Sequence, residues 1–95
     1  MMNKRTIQYT AQYKRDYKKA KKQGRNMNTL SDVLTLLAQD SPLPKKYCDH
    51  ALQGNWKGHR ECHIAPDWLL VYKKTDKGAL LLVLVRLATH SLLNF

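Results

Sequence analysis

Ninety-five residues with a formal net charge of +10, 17 Lys and Arg against 7 Asp and Glu, describe one small basic domain, residues 1–95, built on a single compact core. The longest apolar run, residues 79–85, is far short of the ~18 residues of a membrane span, and the N-terminal stretch has no secretory apolar core. The chain is therefore read as soluble and cytoplasmic with no membrane partner, and Cys48 and Cys62, too few for a disulfide framework, are expected as free thiols.

Residues 4–9 alternate briefly and predict a short strand with Ile7 and Tyr9 facing one way. Thr10 can cap the helix that follows, in which Tyr13, Tyr17 and Ala20 fall at i, i+4 and i+7 and form a thin apolar stripe ending near Gly24. The rest of that helix is basic: Lys14, Arg15, Lys18, Lys19, Lys21, Lys22 and the following Arg25 stand against one acid, Asp16. Such a field attracts a polyanion, either nucleic acid or an acidic protein segment. A merely solvated helix face is the plainer alternative, but it leaves the scarcity of acids elsewhere unexplained.

A second helix starts around Asn26 or Asn28, with Met27, Leu30, Val33, Leu34 and Leu37 on one stripe, and ends before Ser41-Pro42. Residues 42–55 read as a loop that carries His50, because Pro, Gly and polar residues break any period. Three strands follow at about residues 56–64, 68–74 and 79–87, joined by turns at Pro66-Asp67 and Asp76-Lys77-Gly78. The order β-α-α-β-β-β predicts an α+β domain: two antiparallel helices packed on one face of a curved, mainly antiparallel four-stranded sheet. The other face is left for a ligand.

The groups able to move protons, His50, His63, Asp67 and His90, lie in the C-terminal half with Arg86 among them. Cleaving RNA without a metal takes a base for the 2′-hydroxyl proton, an acid for the departing 5′-oxygen and cations for the charge on phosphorus. Histidine fills either proton-transfer role near neutral pH. A zinc set of Cys48, His50, Cys62 and His63 has suitable donors but poor spacings, so neither a metal nor a cofactor is expected. His59 has no evident partner and is read as a surface residue, and Asp67 after Pro66 also suits a plain turn. Trp56 and Trp68 fit core packing, with base stacking on an aromatic ring as the functional reading.

The stretches Asp49-His50-Ala51-Leu52-Gln53-Gly54-Asn55-Trp56-Lys57-Gly58 and Arg60-Glu61-Cys62-His63-Ile64-Ala65-Pro66-Asp67-Trp68, with Arg86 and Thr89-His90-Ser91, resemble the YafQ-type toxins of the RelE/ParE superfamily. The resemblance spans nearly the whole chain. It implies an mRNA interferase, the toxin of a type II toxin-antitoxin system, that cuts translated message in the ribosomal A site. It also implies a cognate antitoxin as partner, the 70S ribosome and mRNA as targets, and DNA contact only through the toxin-antitoxin complex.

By position the resemblance assigns acid, base and phosphate-clamp roles to His50, His63, Asp67, His90 and Arg86 without dividing acid from base. Lys57, Arg60 and Trp68 join Lys14, Arg15, Lys18, Lys19, Lys21 and Lys22 as candidate RNA or ribosome contacts. Where such toxins carry a phenylalanine four residues after the last histidine, this chain has Asn94, and Phe95 one place later is the stacking candidate. The competing readings are a non-catalytic ParE-like inhibitor and a basic nucleic-acid-binding module, neither of which needs three histidines.

Overall fold

The computed structural model describes residues 4–93. β1 (Thr6–Tyr9) leads through Thr10 into α1 (Ala11–Lys22), followed by α2 (Met27–Ala38). The Thr10 hydroxyl accepts from the Tyr13 amide at 3.0 Å and donates to the Val85 carbonyl at 2.7 Å, so one side chain caps α1 and pins it to the sheet. Asn26 caps α2 by accepting from the amides of Asn28 and Thr29. Gly24, at φ +73°, makes the left-handed turn between the helices, where a Cβ would be strained.

β2 (His50–Ala51), β3 (Arg60–Ala65), β4 (Trp68–Thr75) and β5 (Leu81–Ala88) complete the sheet, and α3 (His90–Leu93) follows. The strand order is β1-β5-β4-β3-β2, with β1 parallel to β5 and the other pairs antiparallel. The α+β class stands as expected. The sheet, however, has five strands rather than four: the stretch expected to be only loop contributes β2, a two-residue edge strand too short for any periodic signal. β3 begins at Arg60 rather than near residue 56, because Gly54–Trp56 forms a 3₁₀ turn.

Helices cover one face of the sheet. Tyr13, Ala20, Leu30, Val33 and Leu37 from the helices pack there against Cys62, Ile64, Leu70, Tyr72, Leu82 and Leu84. The opposite face carries a second, smaller cluster of Leu69, Val71, Ala88 and Leu93, flanked by Leu52, Trp56 and Val85. β4 thus buries alternate residues in two cores, which accounts for its unbroken apolar run.

The apolar stripe of α1 needs one correction. Tyr17 remains 37% exposed, and Asp16 is the buried neighbour instead, at 8%. Its carboxylate accepts from the Leu87 amide at 3.0 Å and from Arg86 Nε at 2.9 Å. Burial pushes the Asp16 carboxyl up, and hydrogen bonds from Arg86, Leu87 and Gln12 outweigh it, leaving it below the ordinary carboxylate range.

Tyr9, Tyr13 and Tyr17 line a groove of about 430 Å³ with Met27, Leu30 and Leu34, rimmed by Lys14 and Lys18. Within it the buried Tyr13 hydroxyl has no hydrogen-bond partner among the described residues. At the other end of the sheet the buried Arg5 ties Asp40, after α2, to Asp76 in the β4–β5 turn at 2.6 and 2.7 Å. Hydrogen bonds from Arg5 and Lys74 hold the Asp40 carboxyl down at about 2.

Candidate active site

The period-2 alternation of β3 separates two kinds of residue. Cys62 and Ile64 enter the main core under the helices, while Glu61 and His63 face the other way. This also removes Cys62 from any shared metal set with His63. β2 pairs antiparallel to β3 with His50 directly opposite Glu61. The Pro66-Asp67 turn then joins β3 to β4, and β5 delivers His90 beside that turn.

The result is a row of imidazoles with His63 in the middle. Its ring centroid lies 6.3 Å from that of His50 and 5.5 Å from that of His90. Each ring has one nitrogen engaged. His50 Nδ1 lies 2.6 Å from the Cys48 carbonyl, which can only accept, so Nδ1 carries the proton and Nε2 is left facing Glu61 at 3.9 Å. His63 Nε2 donates to Glu61 Oε1 at 3.1 Å. His90 Nδ1 lies 3.2 Å from Asp67 Oδ1, which also accepts from the His90 backbone amide at 3.3 Å. Those two bonds from His90 hold the exposed Asp67 carboxyl below the ordinary carboxylate range.

Glu61 is the site residue that sequence reasoning passed over. Only 3% exposed, it is a carboxylate buried beside two imidazoles. A signal was present: Glu61 and His63 stand two apart on one strand, and such residues share a face. Glu61, His63 and His90 also offer three ligand atoms within 4.8 Å of one another, a carboxylate oxygen and imidazole nitrogens that suit a divalent transition metal.

Other candidates are placed differently. Arg86 is engaged by Asp16 through Nε at 2.9 Å and a terminal nitrogen at 3.4 Å. Lys14, Arg15, Lys18, Lys19, Lys21, Lys22 and Lys57 are exposed. Arg60 is forked onto Asp49, at 3.2 and 3.4 Å. Trp68 is 2% exposed in the main core, with Arg25 over its ring at 5.4 Å, in keeping with the packing reading of this residue. His59, expected to lack a partner, lies 3.2 Å from the Trp56 carbonyl and edge-on to its ring. Phe95 and Asn94 lie outside the described residues.

The profile of a family described as the bacterial toxin of a type II toxin-antitoxin system, YafQ, matches residues 5–94. The chain belongs to the YafQ toxin family. It is 48% identical over 93 residues to the mRNA interferase toxin YafQ of Escherichia coli K12, covering 97% of this chain and 98% of that one. Among solved structures, the E. coli DinJ-YafQ toxin-antitoxin complex matches with a TM-score of 0.84 at 48% identity, over 95% of this chain and 97% of that one. A metal-bound toxin from Helicobacter pylori matches with a TM-score of 0.86 at 42% identity, over 97% and 99%.

Proposed function

We propose that the row His50, His63 and His90, with Glu61 and Asp67, is where this toxin, an mRNA interferase like its E. coli relatives, cuts message presented by the translating ribosome. The reaction moves the 2′-hydroxyl proton to a base as that oxygen bonds phosphorus. The bond from phosphorus to the 5′-oxygen breaks, an acid protonates the leaving oxygen, and the products are a 2′,3′-cyclic phosphate and a 5′-hydroxyl.

The observation that carries this reading is the different anchor behind each outer ring. His50 leans on a neutral carbonyl and turns Nε2 to the cluster, which suits a base. His90 leans on the Asp67 carboxylate, an anionic partner for an imidazolium, which suits the acid. His63, held by Glu61, stands between them to face charge growing on the phosphorus oxygens. Arg86, with Asp16 orienting its guanidinium, is assigned to the phosphate. His50→Ala and His90→Ala each lower cutting of a translated message by about 10²-fold or more, read by primer extension, while the domain stays folded. Cutting by both variants at the wild-type level overturns the site assignment.

The exposed cations of α1 supply attraction to ribosomal RNA and to an acidic antitoxin segment. The groove beside them, with its cationic rim, apolar floor and orphan Tyr13 hydroxyl, fits an amphipathic segment carrying acidic groups, such as an antitoxin could supply. Charge reversal at Lys18, Lys19, Lys21 and Lys22 weakens both interactions, and retention of both overturns the shared surface.

A second reading rests on the metal-donor geometry. Glu61, His63 and His90 fit a divalent transition ion, and one bound there would occupy proton-transfer nitrogens and inhibit. Copper added to the wild type lowers cutting and a chelator restores it; unchanged cutting at saturating copper overturns that reading.

A further inference from the structure

His50 sits on the weakest-looking part of the sheet. β2 is a two-residue edge strand, with only His50 and Ala51 in register with β3, and one more backbone bond, from Leu52 to the His59 carbonyl, follows at 2.9 Å. Two residues before it Cys48 adopts a left-handed conformation, φ 50° and ψ 42°, unfavourable by about 1–2 kcal/mol for a residue with a Cβ. The carbonyl of that same residue holds the His50 ring. Backbone pairing alone gives this segment little.

Asp49, between Cys48 and His50, supplies the missing restraint. Its Oδ1 accepts from the Tyr72 hydroxyl at 2.5 Å, and both its oxygens accept from Arg60, at 3.2 and 3.4 Å. Tyr72 is 1% exposed, and its ring is part of the main core. Arg60 and Tyr72 are themselves register partners on β3 and β4. The edge strand is therefore fastened to the sheet's interior by a buried hydroxyl and an ion pair. Burial, then the hydrogen bond to Asp49, push the Tyr72 hydroxyl far up, so it remains a donor.

The fastening lies on the helix side of the sheet, whereas Glu61 and His63 point to the other face. It touches neither imidazole, so its influence on them passes through the backbone of residues 48–51. We propose that Asp49, gripped by Tyr72 and Arg60, is a positioning residue that sets the His50 imidazole for cleavage, and that Arg60 serves this grip rather than RNA. The proposal rests on His50 acting in the reaction.

Tyr72→Phe is the cleanest test, since it keeps the buried ring and removes one hydroxyl. Cleavage on programmed ribosomes and amide hydrogen exchange are measured on the same variant, with Asp49→Ala and Asp49→Asn beside it. The rate at saturating ribosome falls by about tenfold in Tyr72→Phe, from a displaced base. The half-saturating concentration stays within about twofold, because ground-state binding is untouched. Exchange at His50, Ala51 and Leu52 accelerates while β4 and β5 stay protected, and Asp49→Asn recovers part of what Asp49→Ala loses. An unchanged rate, a change confined to half-saturation, or loss of protection across the whole sheet overturns the proposal. His50→Ala separates the two failures: if it cuts normally, the catalytic reading falls and the positioning role with it, whereas loss in His50→Ala with none in Tyr72→Phe overturns the positioning role alone.

Discussion

On α1, Lys14, Arg15, Lys18, Lys19, Lys21 and Lys22 stand exposed on the helix side of the sheet. On the opposite face His63 lies 5.5 Å from His90 and 6.3 Å from His50, and every ring is tied to a carbonyl or carboxylate. On the proposed function both regions meet polyanions, by different physics. The helix would act through a field summed over many exposed charges, in which each is replaceable and salt weakens the whole. The imidazole row would act through positions fixed to within about an ångström, in which no member is replaceable. Two regions of similar charge chemistry should therefore respond oppositely to single substitutions and to salt.

The largest effect belongs to the row. His50→Ala and His90→Ala lower single-turnover cleavage by about 10²–10⁴-fold, with ribosome affinity unchanged, as measured by co-sedimentation. Glu61→Gln comes next, because a buried charge-assisted bond to His63 is lost; cleavage falls by roughly 10–100-fold, again without loss of affinity. Reversing Lys18, Lys19, Lys21 and Lys22 together acts on the other side of the comparison. Affinity drops by about tenfold or more at low salt, and the salt dependence flattens by roughly 0.7–0.9 in logarithmic slope per lost phosphate contact. A single Lys→Ala on α1 changes affinity by only about twofold.

The smallest effect is on stability at acid pH and concerns neither region. Asp40, held at about 2 by Arg5 and Lys74 against an ordinary 3.8, adds stability that is complete above 3.8 and lost as the pH falls through about 2. Asp40→Asn removes that contribution, so its unfolding midpoint falls less steeply than the wild type's between pH 4 and 2, measured by thermal denaturation.

How much of this was readable in the sequence follows from the strength of the local signal. The stripe of Leu30, Val33 and Leu37 on α2, the Thr10 cap and the β3–β4 hairpin each repeat a period or a turn chemistry, and each formed as expected. β2 and α3, of two and four residues, are too short to repeat their periods and exist because the sheet and the second core hold them. The exchange of Tyr17 for Asp16 in the α1 interface arises from a tertiary need, an acceptor for the Leu87 amide, that α1 alone does not reveal. Glu61 shares its strand face with His63, and its burial beside two imidazoles comes from the pairing of β2 with β3, which β3 alone does not reveal. Trp68 packs in the core, one of the two readings its sequence allows.

The proposed division of labour between the two outer histidines is open to one direct measurement. A ribosome-bound message carrying a bridging 5′-sulfur at the cut site has a leaving group that departs without a proton. On that substrate His90→Ala should regain nearly wild-type cleavage while His50→Ala stays inactive, since only the base is still required. Rescue of His50→Ala rather than His90→Ala, or rescue of neither, would contradict the account.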